Sequence, residues 1–202
     1  MKNKNYTINV AFGVTFINLA IVGLCSLFPA PTFFFAVRAG VVLCNLAMGG
    51  VLLFNNKSTS DAAPLHRPYW LGVIAANIAA VKVIDETCPL MSVHTVVFVV
   101  GLAMALASLW SLGKSFAVTP MTSTIKTRRM FSFVRHPMYL GESLMVLSCL
   151  LTSMSVVSAL VLLLYAFFMV MRIGEEEKLL LKTEEYQKYC VSTPWRLIPF
   201  VW

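Results

Sequence analysis

The sequence predicts an all-α polytopic membrane protein of about six transmembrane helices. The last two form a tight helical hairpin, and a cytoplasmic amphipathic helix and tail follow. Three observations carry this reading. The 202-residue chain is 58% hydrophobic and 12% charged, against about 25% charged for a soluble domain, and its mean hydropathy is +0.79. Its apolar residues fall into runs of spanning length. Its basic residues fall between those runs. One membrane domain over residues 1–202 is expected, with four spans in 1–112 and a core in 113–202 that carries the hairpin and tail.

The net charge of +7 would suit nucleic acid in a soluble chain. Here the basic residues flank apolar spans and read as topology signals and lipid-headgroup contacts. Membrane lipids are therefore expected partners, and nucleic acid is not. Cys25, Cys44, Cys88, Cys149 and Cys190 form no CxxC pair and lie mostly in apolar runs. They read as small buried hydrophobes, with no metal site and no disulfide framework. The apolar run after Lys2 and Lys4 is long enough to span, and Pro29-Ala30-Pro31 is a poor cleavage context, so no removable signal peptide is expected.

Ile8 to Phe28 supplies the first span, near the roughly 20 residues that cross the hydrocarbon core. Asn9 and Asn18 interrupt it, and Pro29 and Pro31 end it. Phe33 to Phe54 is the second span, with Arg38 able to snorkel. A polar loop with Lys57, Asp61, His66 and Arg67 leads to the third, Tyr69 to about Ile84. Asp85-Glu86 and Pro89 close that span, and Lys82 and Asp85 stand close enough to pair. Met91 to Leu112 is the fourth, strongly apolar and carrying His94, which reads as a hydrogen-bonded helix residue.

Gly113 to Pro137 is the longest non-spanning stretch and carries Lys114, Lys126, Arg128, Arg129 and Arg135. Met138 to Met171 is then apolar for 34 residues apart from Glu142. A straight helix of that length would be roughly 50 Å long, against a core of roughly 30 Å. Thr152-Ser153-Met154-Ser155 is the polar turn that splits it into a hairpin. Arg172 to Trp202 is a polar, aromatic tail. Six spans put fourteen basic residues on the side of both termini and only Arg38 and Lys82 on the other. By the positive-inside rule the termini are cytoplasmic, in a cell inner membrane or an endomembrane.

This topology gathers the strongly polar residues at one face. Pro137 forces His136 out of the helical region and suits the first helical position. The free N–H groups of that helix end favour an anionic ligand group, and Tyr139 offers a ring and a hydroxyl. The same stretch also suits a plain basic anchor with an interfacial tyrosine. Glu175, Glu176 and Glu177 differ by about 100° each around a helix, so all three cannot face one site. Glu175 and Glu176 stand three and four residues after Arg172, where either can pair with it. The run is otherwise a solvated acidic face. Tyr186, Tyr189, Trp195, Arg196, Pro199, Phe200 and Trp202 suit the headgroup region or the lid of a pocket, with Arg196 available to a carboxylate. His66-Arg67-Pro68-Tyr69 faintly echoes the main motif. A GxGxxG stretch is absent, which removes a soluble Rossmann-type nucleotide site.

The order Arg135-His136-Pro137-Met138-Tyr139, Arg172 with Glu176-Glu177 and Leu180, Tyr186 and Tyr189, and Arg196 with Ile198-Pro199 resembles the isoprenylcysteine carboxyl methyltransferase and phospholipid methyltransferase superfamily of membrane enzymes. Leu112-Gly113 fits as well, and the resemblance covers about 112 to 200. One departure stands out: Lys182-Thr183-Glu184-Glu185-Tyr186 is about two residues shorter than the family's stretch and lacks its Phe-Gly. The resemblance implies S-adenosylmethionine as cofactor, contacted by Val134, Arg135, His136, Tyr139, Arg172 and Glu176. It implies a methyl-transfer site shaped by Arg172, Glu176, Glu177 and Arg196. The acceptor would be a lipophilic or small molecule bearing a carboxylate, amine or thiol, and no metal is implied. A membrane reductase of the sterol-reductase type, using NADPH, and a small non-enzymatic transporter are the rival readings.

Overall fold

The computed structural model describes residues 33–53, 69–84, 89, 92–112 and 129–202, together with 13, 14, 16–18, 20 and 21. Most of the first expected span, the loop at 55–68, Asp85-Glu86 and the basic stretch 113–128 lie outside the described residues. In chain order the helices are α1 (Phe33–Leu53), α2 (Tyr69–Lys82), α3 (Val93–Leu112), a 3-10 turn at Arg129–Ser132, α4 (Pro137–Leu151), α5 (Val156–Leu180) and α6 (Glu184–Ser192). Among the described residues there is no strand. The protein is an all-helical polytopic membrane protein, as its composition predicts.

α1, α3 and α5 are long and apolar enough to cross a membrane, whereas α2 and α4 are shorter apolar helices. The start of α4 and the break between α4 and α5 follow the sequence signals. Pro137 is the first residue of α4, and His136 before it adopts φ −122°, ψ 60°, outside the helical region. The run from 138 to 171 does break at the polar turn: α4 ends at Leu151, and Ser155 caps α5 by accepting a hydrogen bond from the Ser158 N–H. Ser158 in turn donates from its hydroxyl to the Ser153 carbonyl.

The end of the last span differs from expectation. α5 does not stop at Met171 but runs unbroken to Leu180. Nothing between 171 and 180 breaks a helix except Gly174, and a Cβ there would meet open space. At 1.5 Å per residue the nine residues after Met171 carry the helix about 13 Å beyond the apolar run. The acidic run is thus rigidly attached to the membrane helix.

Helix packing sets the depth of each element. α4 lies along α3, and α2 lies along α5. The α3–α4 contact is close because Gly101 faces Gly141: a Cβ on Gly101 would stand 2.6 Å from the Gly141 carbonyl oxygen. Small residues at such crossings let membrane helices pack backbone to backbone. Between them runs a core of Phe33, Val37, Val73, Phe98, Val146, Tyr165, Met169 and Ile173. A second cluster of Phe131, Tyr186 and Tyr189 packs α6 beneath the 3-10 turn.

Candidate functional site

The segment before α4 is held by the tail. The Arg135 N–H donates to the Trp195 carbonyl and the His136 N–H to the Arg196 carbonyl, both at 2.9 Å. The Tyr189 hydroxyl donates to the Phe131 carbonyl at 2.5 Å. These bonds satisfy backbone groups just ahead of a proline-started helix. Val134 is buried beside them, 3% exposed. The tail then turns back on itself, with Leu197 and Ile198 donating to the Trp202 carbonyl and Arg196 standing over the Trp202 ring at 5.4 Å.

Two carboxylates on the last turns of α5 organise the rest. Glu177 is 3% exposed. Arg196 Nε donates to its Oε2 at 2.5 Å. Its Oε1 lies 2.9 Å from Arg135 Nε and 3.3 Å from His136 Nε2, and accepts from the Tyr186 hydroxyl at 3.3 Å. The Arg135 contact is an ion pair by distance only. The Nε–H does not point at that oxygen, so among the described residues this buried donor has no hydrogen-bond partner.

Glu177 lies beyond the apolar run of α5. Burial opposes its ionisation, but hydrogen bonds from His136 and Arg196 and the nearby charges of His136 and Arg135 hold its carboxyl low, at about 2. Burial and the Glu177 charge push the Tyr186 phenol well above its ordinary range, so Tyr186 remains a donor.

Glu176 faces the other way. Its Oε2 accepts from the Tyr139 hydroxyl at 2.7 Å. The Tyr139 ring stacks on His136, with centroids 5.5 Å apart and planes 9° apart, and the Arg172 guanidinium lies over it at 4.8 Å. Arg172 therefore packs on Tyr139 instead of pairing with an acid one turn along. Glu175, the other expected partner, takes the exposed Lys178 at 2.9 Å and turns away from the site.

The structure thus brings Arg135, His136, Tyr139, Arg172, Glu176, Glu177 and Arg196 together at one end of the helix bundle. The missing Phe-Gly does not displace the two tyrosines. A three-residue turn after α5, with Thr183 Oγ1 donating to the Leu180 carbonyl, delivers Tyr186 to Glu177 and Tyr189 to Phe131. His94 lies edge-on to Phe33 at 6.2 Å, away from this group, and Cys149 is a buried free thiol.

A second polar group was not singled out by sequence reading. Asn77 Nδ2 donates to Glu142 Oε1 at 2.8 Å, and the Ser143 and Tyr165 hydroxyls are 3.2 Å apart. The one signal for it was an acid in a 34-residue apolar run. Among the described residues, no group of three His, Cys, Asp or Glu gathers to hold a metal ion.

Fold and site together define an integral membrane protein whose ionised side chains converge at one end of its last helical hairpin. Residues 92–182, a little under half of the chain, match the isoprenylcysteine carboxyl methyltransferase (ICMT) family, the family its motifs resemble. The match takes in α3, the motif, the hairpin and the acidic run, and it supports a membrane methyltransferase of the ICMT type. Among curated proteins, none matches the chain.

Proposed function

We propose that the protein is an S-adenosylmethionine-dependent methyltransferase acting at the cytoplasmic face of its membrane. The observation that carries this is the convergence of the Arg135–Tyr139 motif, the α5 acids and Arg196, within and just beyond the family match. The distribution of basic residues supports a cytoplasmic site and cytoplasmic termini.

The residues fit the cofactor. It carries an adenine, a carboxylate and an ammonium, and it supplies an electrophilic methyl group on a positively charged sulfur. The stacked His136 and Tyr139 rings offer a flat face for the adenine. The buried Arg135 Nε–H, unmatched among the described residues, offers a donor to the carboxylate. Glu176, held by a neutral phenol, keeps a negative charge available to the ammonium.

The chain's own work is alignment and exclusion of water. Tyr139 fixes Glu176, and Arg172 covers the Tyr139 ring. Glu177 draws Arg135, His136 and Arg196 inward and so closes the tail over the motif. In this reading Glu176 faces the reacting groups and Glu177 shapes the wall. The acceptor is a lipophilic or small molecule with a carboxylate, amine or thiol, reaching the site from the bilayer.

The test is binding of S-adenosylhomocysteine to the purified protein by calorimetry, with His136→Ala and Glu176→Gln alongside. Saturable binding weakened at least tenfold by either substitution is expected. No binding at millimolar ligand, with NADPH bound instead, would establish the reductase reading.

A further inference from the structure

Glu142 lies five residues into α4, about 7 Å along the helix from Pro137. It therefore sits at membrane depth, below the group that surrounds Glu176 and Glu177. An acid in an apolar segment is costly and demands a partner. The partner in contact is neutral: Asn77 of α2, which donates from Nδ2 to Glu142 Oε1 at 2.8 Å. That same amide is oriented by a 2.9 Å bond to the Val73 carbonyl. Among the described residues, no Lys, Arg or His lies within ion-pair distance of Glu142.

A plain interhelical tie between α2 and α4 would not need the charge. Glutamine at 142 would accept the same Asn77 bond with a far smaller desolvation cost. The charge is also not isolated from the site above it. Tyr139 is one turn earlier on the same helix, Ser143 donates to the Tyr139 carbonyl, and Ser143 meets the Tyr165 hydroxyl of α5. Arg172 lies in the field of both Glu142 and Glu176. Glu142 thus adds a negative charge below the group around Glu176, with a neutral side chain as its contact.

The pair is also reachable. Asn77 and Glu142 are only partly buried, and Asn77 sits at the edge of the lipid-exposed face formed by Ile74 and Ile78. A molecule lying among the acyl chains can present a polar head there.

We propose that Glu142, oriented by Asn77, receives the methyl acceptor, and that the acceptor is an amine carried on a lipophilic body. This rests on the methyltransferase reading above and selects among its acceptor classes. An ammonium head gains the contact charge that Glu142 lacks, and an acceptor carboxylate would be repelled from the same place. Glu142 is then also placed to take the proton that an ammonium must lose before its nitrogen has a lone pair to attack with.

The test uses the full-length protein in phosphatidylcholine nanodiscs. Two radiolabelled probes of equal chain length, hexadecylamine and palmitic acid, are compared for retention over empty discs, and S-adenosylhomocysteine binding is measured separately. The wild type is expected to retain the amine at least tenfold better than the acid. Glu142→Gln should abolish that preference, Glu142→Asp should keep part of it, and both should bind S-adenosylhomocysteine within twofold of wild type.

A wild type that prefers the acid overturns the proposal. So does Glu142→Gln that keeps the amine preference, which would make the residue an interhelical tie. Because the wild-type comparison needs no variant, a poorly folding substitution leaves the test decisive. S-adenosylhomocysteine binding without amine preference would sink the acceptor assignment alone. Amine preference that Glu142→Gln abolishes, with no S-adenosylhomocysteine bound, would leave the amine site standing and sink the methyltransferase reading.

Discussion

The Tyr139 hydroxyl donates to Glu176 Oε2 at 2.7 Å across thirty-seven positions of sequence. This bond joins the first turn of α4 to the last turns of α5. It exists because the chain leaves that end of the bundle, turns at 152–155 and comes back. The hairpin is thus a device for bringing a proline-started helix end against an acidic helix end. Tyr139 also carries the Arg172 guanidinium on its ring, so one side chain holds an acid by its edge and a base by its face.

Tyr139→Phe separates these two functions. The ring keeps its contacts with His136 and Arg172, and only the bond to the carboxylate is lost. A hydrogen bond to a charged group contributes about 1.5–3 kcal/mol. Chemical denaturation in detergent should show a loss in that range, and S-adenosylhomocysteine affinity should fall severalfold. Tyr139→Ala, which also removes both stacked contacts, should lose more of each. Equal effects of the two substitutions would show that the ring contacts add nothing, and a silent Tyr139→Phe would show that the hydroxyl does nothing.

The two acids should respond differently to the same change. Glu177→Gln removes the negative charge from among Arg135, His136 and Arg196 and leaves buried positive charge uncompensated. Breaking such a buried arrangement costs about 3–5 kcal/mol, so this variant should be hard to purify folded. Glu176→Gln keeps a hydrogen-bond acceptor for Tyr139 and should stay folded, losing methyl transfer instead. Stability measured alongside turnover for the pair checks the division.

Much of this arrangement was legible in the chain. The 34 apolar residues from 138 to 171 exceed any single crossing, and Thr152–Ser155 is where polar residues allow a turn, so the hairpin followed from length alone. The meeting of Arg135–Tyr139 with Arg172–Glu177 followed from the hairpin. The division of the acids did not, because helical spacing shows which residues share a face but not which neighbour that face meets. Arg172 was expected to pair with Glu175 or Glu176 on its own helix. It stacks on Tyr139 of α4 instead, a contact between helices. The Asn77–Glu142 bond was hidden for the same reason, since α2 and α4 are separated by a whole span. The continuation of α5 to Leu180 shows that the end of apolarity is not the end of a helix.

The ionisation of Glu177 predicts an acid transition. Its carboxyl is held at about 2, against 4.5 ordinarily. A lowered folded-state value means that the unfolded chain binds the proton more readily. The stabilisation is therefore fully present above about pH 4.5 and is lost as pH falls towards about 2. Thermal unfolding of the wild type followed across that window should show a steep loss of stability between about pH 4.5 and about 2. A flat profile there would mean that Glu177 carries no such stabilisation.

The close crossing of α3 and α4 makes a packing prediction. A Cβ at Gly141 would stand 2.5 Å from the Gly101 carbonyl oxygen and 2.7 Å from the Ala105 backbone nitrogen. Both are backbone atoms and cannot swing aside. Overpacking of this kind costs about 1–3 kcal/mol. Gly141→Ala should lower thermal stability accordingly and, by tilting α4, weaken S-adenosylhomocysteine binding. Gly174→Ala, where the added methyl meets open space, should be neutral or slightly stabilising.

Removing residues 195–202 tests whether the tail is a wall of the site or only an anchor. The Arg135 and His136 N–H groups donate to the Trp195 and Arg196 carbonyls, and Arg196 caps Glu177. Without the tail, two backbone donors ahead of Pro137 lose their partners, and Glu177 loses its closest cation. The motif should then sample other conformations while α1 to α5 stay packed. Circular dichroism should show helix content nearly unchanged, while S-adenosylhomocysteine binding falls by at least tenfold. Arg196→Ala in the full-length chain should show a smaller loss, because both backbone bonds survive it. If the truncated protein binds the ligand as tightly as the intact chain, the tail serves only the membrane surface.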